Sequence, residues 1–125
     1  MDKFTQGYIE AFLWSETDES TPDGGEPLDA NYNQLEIHPD SMAKIIRDCA
    51  VFQEVAKDLL NQAYQSNTVA YTEDQAGHDF LLTRNHHGSG YWDSGLGEAG
   101  DKLTTAAQLF REVNGYAENE VVYYE

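Results

Sequence analysis

QAGHDFLLTRNHHGSGYWD, residues Gln75–Asp93, is the stretch on which the fold turns. It carries three of the four histidines, one of the seven basic residues, glycines at 77, 88 and 90, and the Tyr91-Trp92 pair. Its first half predicts a helix over 73–85. Thr72 is a suitable N-cap, and Gln75, three residues on, completes a capping box. Glu73 and Asp74 sit in the first turn, where the helix dipole favours negative charge. Ala76, Phe80 and Thr83 recur at helical spacing, so one face can be buried. His86-His87-Gly88-Ser89-Gly90 cannot propagate a helix cheaply, so it stops near Asn85. Gly88 and Gly90 are expected to supply backbone angles closed to other residues. Tyr91 and Trp92 then return as apolar anchors.

Upstream, Phe4, Tyr8 and Phe12, with Ile9 and Leu13 beside them, predict a helix over about 4–14. An acidic loop follows at about 15–37, punctuated by Pro22, Gly24-Gly25 and Pro27. It reads either as a mobile acidic loop or as an Ω-loop pinned by Leu28, Tyr32 and Leu35. Pro39 is a favoured first helical residue. From there one apolar stripe runs through Met42, Ile45, Ile46, Cys49, Phe52, Ala56, Leu59, Leu60 and Ala63, predicting a single helix over 39–64. Downstream, Ser94–Gly97 is a turn. Leu103, Ala106, Ala107, Phe110 and Val113 predict a helix over 98–113, closed by Asn114-Gly115. Val121–Tyr124 is rich in strand formers and is expected to pair with Gly115–Ala117. The fold class is therefore α+β: one mostly helical domain over 1–125, with about four helices and a short C-terminal β-hairpin.

With 125 residues, 40% of them apolar, the chain suits a single core. No apolar run is long enough to span a bilayer, and the first residues lack the pattern of a signal peptide. The one cysteine, Cys49, falls in the apolar stripe. It reads as a buried structural thiol, and a reducing compartment is the simplest setting. Charge is the strongest global property: seven basic residues face twenty-three acidic ones, a net −16. Phosphate backbones would be repelled, so direct nucleic-acid binding is not expected. A basic protein surface would be attracted and steered in.

The candidate site is His78, Asp79, Arg84, Asn85, His87, Trp92 and Asp93. Three readings compete. His78, His86, His87, Asp79 and Asp93 are metal-ligand types, but there is no H-E-x-x-H and no cysteine pair, so no metal or other cofactor is expected. For acid–base chemistry, His87 would work beside Asp79 or Asp93, with Arg84 as an anion clamp. The amides of Gly88–Gly90 would form a nest, and Ser89 or Ser94 would be the nucleophile. No G-x-S-x-G elbow is present, and no catalytic residue is assigned. The leading reading is structural. Arg84 pairs with Asp79 or Asp93, His87 donates to a backbone carbonyl, and the glycines allow a turn that seats Tyr91 and Trp92.

The segment GHDFLLTRNHHGSGYWDSGLGEAGDKLT resembles the GHDFWLTRNGHGAGFWDRGLGE signature of a family of small, acidic phage and prophage proteins. YIEAFLWSETDESTPDGGEPLDANY is similar to the opening of that family, so the likeness runs along nearly the whole chain. Gly77, His78, Asp79, Thr83, Arg84, Asn85, His87, Gly88, Trp92 and Asp93 match. Leu81 stands where the signature has Trp, His86 where it has Gly, and Tyr91 where it has Phe. The resemblance implies a phage accessory protein in a bacterial cytoplasm and no particular reaction. With the charge, it points to a protein that binds a host or phage partner with a basic surface. Such a protein would act as an inhibitor imitating nucleic-acid charge, presenting carboxylates such as Glu10, Glu16, Asp18 and Glu19. The alternative is a small-ligand-binding or hydrolytic module built on Gln75–Asp93. An interaction protein is favoured over an enzyme.

Overall fold

The computed structural model describes residues 1–125. Five helices form the body: α1 (Lys3–Ser15), α2 (Pro39–Val55), α3 (Lys57–Tyr64), α4 (Glu73–Arg84) and α5 (Glu98–Gln108). Two antiparallel strand pairs accompany them: β1 (Thr17–Asp18) with β2 (Glu26–Pro27), and β3 (Gly115–Glu118) with β4 (Val121–Tyr124). The architecture is mostly helical α+β, with five helices rather than four and the expected C-terminal hairpin. No helix is long and apolar enough to cross a membrane.

The pairing of α1 with α4 is the centre of the molecule. The two helices meet backbone to backbone because each places a glycine at the contact. A Cβ on Gly77 would lie 1.8 Å from the Phe4 carbonyl oxygen, and one on Gly7 would lie 1.9 Å from that of Asp74. Each glycine thus faces a carbonyl of the other helix, an approach open only to residues without a side chain. Flanking this contact, Phe4, Tyr8, Phe52, Phe80 and Tyr91 are all fully buried. Phe52 and Phe80 stack at 4.0 Å, with Phe110 edge-on to both. Burying each such ring contributes ~1.5–3 kcal/mol.

The expected helix over 39–64 bends at Ala56, where ψ moves to 18°. The hydrogen bonds continue across the bend, from Ala56 N–H to Phe52 O and from Leu60 N–H to Ala56 O. The buried stripe continues too, through Ile45, Cys49, Phe52, Ala56, Leu60 and Ala63. Periodicity therefore reads straight through a bend that carries neither proline nor glycine. The expected helix over 98–113 stops at Gln108 instead. Tertiary bonds win there: Arg84 and Asn85 capture the backbone of Arg111 and Val113 and hold it out of helical geometry.

The hairpin turns on Asn119 and Glu120, at φ 53° and 64°. Positive φ at both central residues matches the right-handed twist of the flanking strands. It is tied down through His38 N–H to Val122 O at 2.8 Å and Tyr124 N–H to Ser41 Oγ at 3.0 Å. The loop over 15–37 is ordered. Leu28 pins it at zero exposure and Tyr32 is half-buried, but Leu35 is 86% exposed and pins nothing.

Candidate functional site

The start of α4 forms as its sequence suggests: Gln75 Oε1 accepts the Thr72 N–H at 3.0 Å. Its end is a Schellman turn. His86 N–H donates to Thr83 O and His87 N–H to Leu82 O, with His86 left-handed at φ 53°. That conformation suits glycine. The left-handed angle falls on His86, not on Gly88 or Gly90. Gly88 has open space around it, and Gly90 is extended, where a Cβ would lie 2.4 Å from Thr83 Oγ1 and 2.5 Å from the Trp92 ring.

Thr83, Arg84 and Asn85 each fasten a different segment to the end of α4. Thr83 Oγ1 accepts the Tyr91 N–H at 3.1 Å, and the Tyr91 hydroxyl donates to Ala76 O at 2.7 Å. Asn85 grips Val113 as a strand would, donating to its carbonyl and accepting its N–H. Arg84 is 4% exposed. Its partner is neither Asp79 nor Asp93 but Asp48 of α2, at 2.9 Å. Nε and Nη2 donate to Arg111 O, and Nη1 also reaches the hydroxyls of Tyr8 and Tyr124. Tyr124 donates to Asp48 at 2.5 Å and bonds Tyr8 at 2.7 Å. The guanidinium lies over the rings of Phe80 and Phe110. Burial opposes its charge, but Tyr8, Tyr124 and Asp48 more than offset this, and its pKa rises. The asparagine and arginine needed partners from α2 and from residues 111–113. Spacing within 75–93 gives no sign of either.

Asp79 stands apart from Arg84. One of its oxygens accepts both the Tyr71 hydroxyl at 2.6 Å and the Ser94 hydroxyl at 2.7 Å. Burial raises its pKa, and those two bonds oppose the rise. With His78 and Gln75 it lines a pocket of about 380 Å³. Asp93 instead caps the turn before it, accepting the Gly90 N–H at 3.0 Å. The His87 ring bonds no carbonyl. It packs with His78 around Trp14, at 5.5 and 6.0 Å. Both tryptophans are about half exposed, and Trp92 covers Gly90. Arg84, Asp79 and His87 therefore line three separate hollows. No group of three or more His, Cys, Asp or Glu side chains is gathered as an ion's ligands would be. Cys49 lies in the core, its thiol pushed up to about 12 by burial.

The four acids proposed for a binding surface also separate. Glu10 and Glu19 are exposed. Glu16 is half-buried; burial raises its pKa, against the N–H of Gly115. Asp18 has no exposed surface and is a clamp inside the loop. It accepts Ser20 Oγ and N–H and Asn31 Nδ2, at 2.5, 2.9 and 2.8 Å, and these bonds hold it below the usual carboxylate range. An acid in an acidic loop gives no hint of burial until the Ser20 and Asn31 partners are in place.

Sequence reasoning passed over a groove between α1 and the loop. Ile9, Leu13 and Tyr32 form its apolar lining, and Glu10 and Asp29 stand beside them, in a volume of about 330 Å³. Compared with family models, curated proteins and solved structures, the chain matches none.

Proposed function

We propose that the protein binds a partner protein with a basic surface, as a small acidic phage accessory protein that imitates the charge of a nucleic acid. The supporting observation is the state of its carboxylates. Of twenty-three, only Asp18 is fully buried, and only Asp48 and Glu98 are ion-paired with a lysine or arginine. No lysine or arginine lies between Lys3 and Lys44, so the Glu10–Glu36 segment carries acids and no basic side chain of its own. Such a surface steers a basic partner in and repels nucleic acid itself. The groove beside Glu10 and Asp29 supplies what charge alone lacks. An arginine or lysine can lay its aliphatic stem on Ile9, Leu13 and Tyr32 and its head on the two carboxylates.

The Asp79 pocket supports a second reading, as a small-ligand-binding or hydrolytic module. A carboxyl with a raised pKa beside His78 and Ser94 has the make-up of an acid–base group.

Capture from bacterial lysate separates the two. The variant Glu10→Gln/Glu19→Gln/Asp23→Asn/Asp29→Asn should lose the partner at low salt, while His87→Ala and Asp79→Asn retain it. If the loop variant keeps the partner and Asp79→Asn loses it, the acidic surface is not the binding site.

A further inference from the structure

Although the molecule is strongly acidic, its cations are not scattered. Four of the seven basic residues, Lys44, Arg47, Arg84 and Arg111, line one cleft between α2 and the segment after α5. At about 670 Å³ this cleft falls in the size range of small-molecule sites. We infer that it binds a small organic phosphate, with the phosphoryl group among Lys44, Arg47 and Arg111 and the carbon part against Val51 and Phe110.

Four cations outnumber the three acids that line the cleft, Asp48, Glu112 and Glu125, and the outer cations are unpaired. Asp48 is held by Arg84 and Tyr124. Glu112 and Glu125 stand at its rim, Glu112 in an exposed contact with His86 at 3.8 Å and Glu125 accepting the Tyr116 hydroxyl at 3.2 Å. Lys44, Arg47 and Arg111 are exposed and form no ion pair. Arg84, 4% exposed, is fixed beneath the outer cations by its bonds to Arg111 O and Asp48. Two guanidinium forks match phosphate oxygens in a bidentate way, and the ammonium adds a point charge. Val51 and Phe110 give a non-polar wall suited to a ligand's carbon skeleton.

Size decides between a small anion and a polymer. Exposed charges are screened beyond a Debye length of about 8 Å. A ligand wholly inside the cleft is dominated by the local cations. A nucleic-acid strand would run out over the surrounding carboxylates and be repelled.

The test is an amide NMR titration of the full chain with inorganic phosphate, adenosine 5′-monophosphate and adenosine. Saturable shifts are expected over Lys44–Val51 and Phe110–Val113. Adenosine 5′-monophosphate should act at a concentration about tenfold lower than phosphate, and adenosine should have no effect. Arg47→Gln/Arg111→Gln should weaken adenosine 5′-monophosphate at least about tenfold, and Lys3→Gln/Lys57→Gln should not. Both pairs are exposed side chains, so the fold is retained. The inference fails if shifts do not saturate by about 10 mM, if phosphate and adenosine 5′-monophosphate act equally, or if the Lys3/Lys57 pair weakens binding as much.

Discussion

Gly77→Ala adds one methyl group at the tightest contact in the molecule. Its carbon would sit 1.8 Å from Phe4 O, 2.7 Å from Phe4 C and 3.0 Å from Tyr8 N. An ordinary carbon–oxygen approach is about 3.3–3.6 Å, so α1 and α4 must separate by more than 1 Å or slide. Gaps of that size forfeit about a quarter to a half of the dispersion energy of the atoms lining them. All the obstructing atoms are backbone, so no rotamer change relieves the clash. Overpacking costs ~1–3 kcal/mol in ordinary cores, occasionally more, and a rigid backbone clash belongs at the top of that range. Alanine's better helix propensity returns ~1 kcal/mol. A net loss of ~2 kcal/mol or more is expected, which lowers the melting temperature by roughly 6–10 °C in a domain of this size. Gly88→Ala is the control, because nothing lies within 4 Å of its Cβ position. Thermal unfolding followed by circular dichroism reads both. If Gly77→Ala melts with or above the parent, the reciprocal glycine contact does not set the α1–α4 packing.

Arg84→Ala strips Asp48, Tyr8, Tyr124 and Arg111 O of a common donor. Breaking one side of a buried pair costs ~3–5 kcal/mol, so denaturant unfolding should show a loss of that order. Arg84→Lys should recover only part of it, since one ammonium cannot replace a fork bonded on both sides; full recovery would contradict the network. His86→Gly should stabilise by ~0.5–1 kcal/mol, because a left-handed L-residue costs ~1–2 kcal/mol and glycine's extra chain entropy takes back part of that. Its contact with Glu112 at 3.8 Å is exposed and adds little; an unchanged or lower melting temperature would contradict the Schellman geometry. Asp79→Asn should flatten the pH dependence of stability. A carboxyl with a raised folded pKa favours the folded state below its unfolded value of 3.8, and this advantage is lost as pH rises through the folded pKa. Asparagine keeps an acceptor for Tyr71 and Ser94 without the buried charge. The prediction fails if urea unfolding between pH 4 and 7 gives parallel curves for parent and variant.

What the sequence could reveal was local, and what it hid was long-range. The start and end of α4, the N-terminal helix, the hairpin and the burial of Cys49 all follow from caps, periodicity and strand propensity within a few residues. The bend at Ala56 is invisible because the buried stripe crosses it unbroken. The early end of α5 is invisible because the bonds that impose it come from Arg84 and Asn85. Gly77 reads as a weak point in a helix until Phe4 is set against it. The same holds at the candidate site. Arg84 is recognisable as a clamp, but its true partner Asp48 lies 36 residues away. Asp18 looks like one more surface acid and is a covered structural one. The groove at Ile9, Leu13 and Tyr32 joins a helix face to a loop, which no single stretch announces.

The most direct test of binding through the acidic surface is the association rate constant of the purified chain with its captured partner, measured by stopped flow across a salt series. Steering between exposed charges should make this rate fall by about tenfold or more from low to high ionic strength, with dissociation changing far less. The Glu10→Gln/Glu19→Gln/Asp23→Asn/Asp29→Asn variant should start slower and lose most of the salt slope. An association rate indifferent to salt and to those four acids would contradict the proposal.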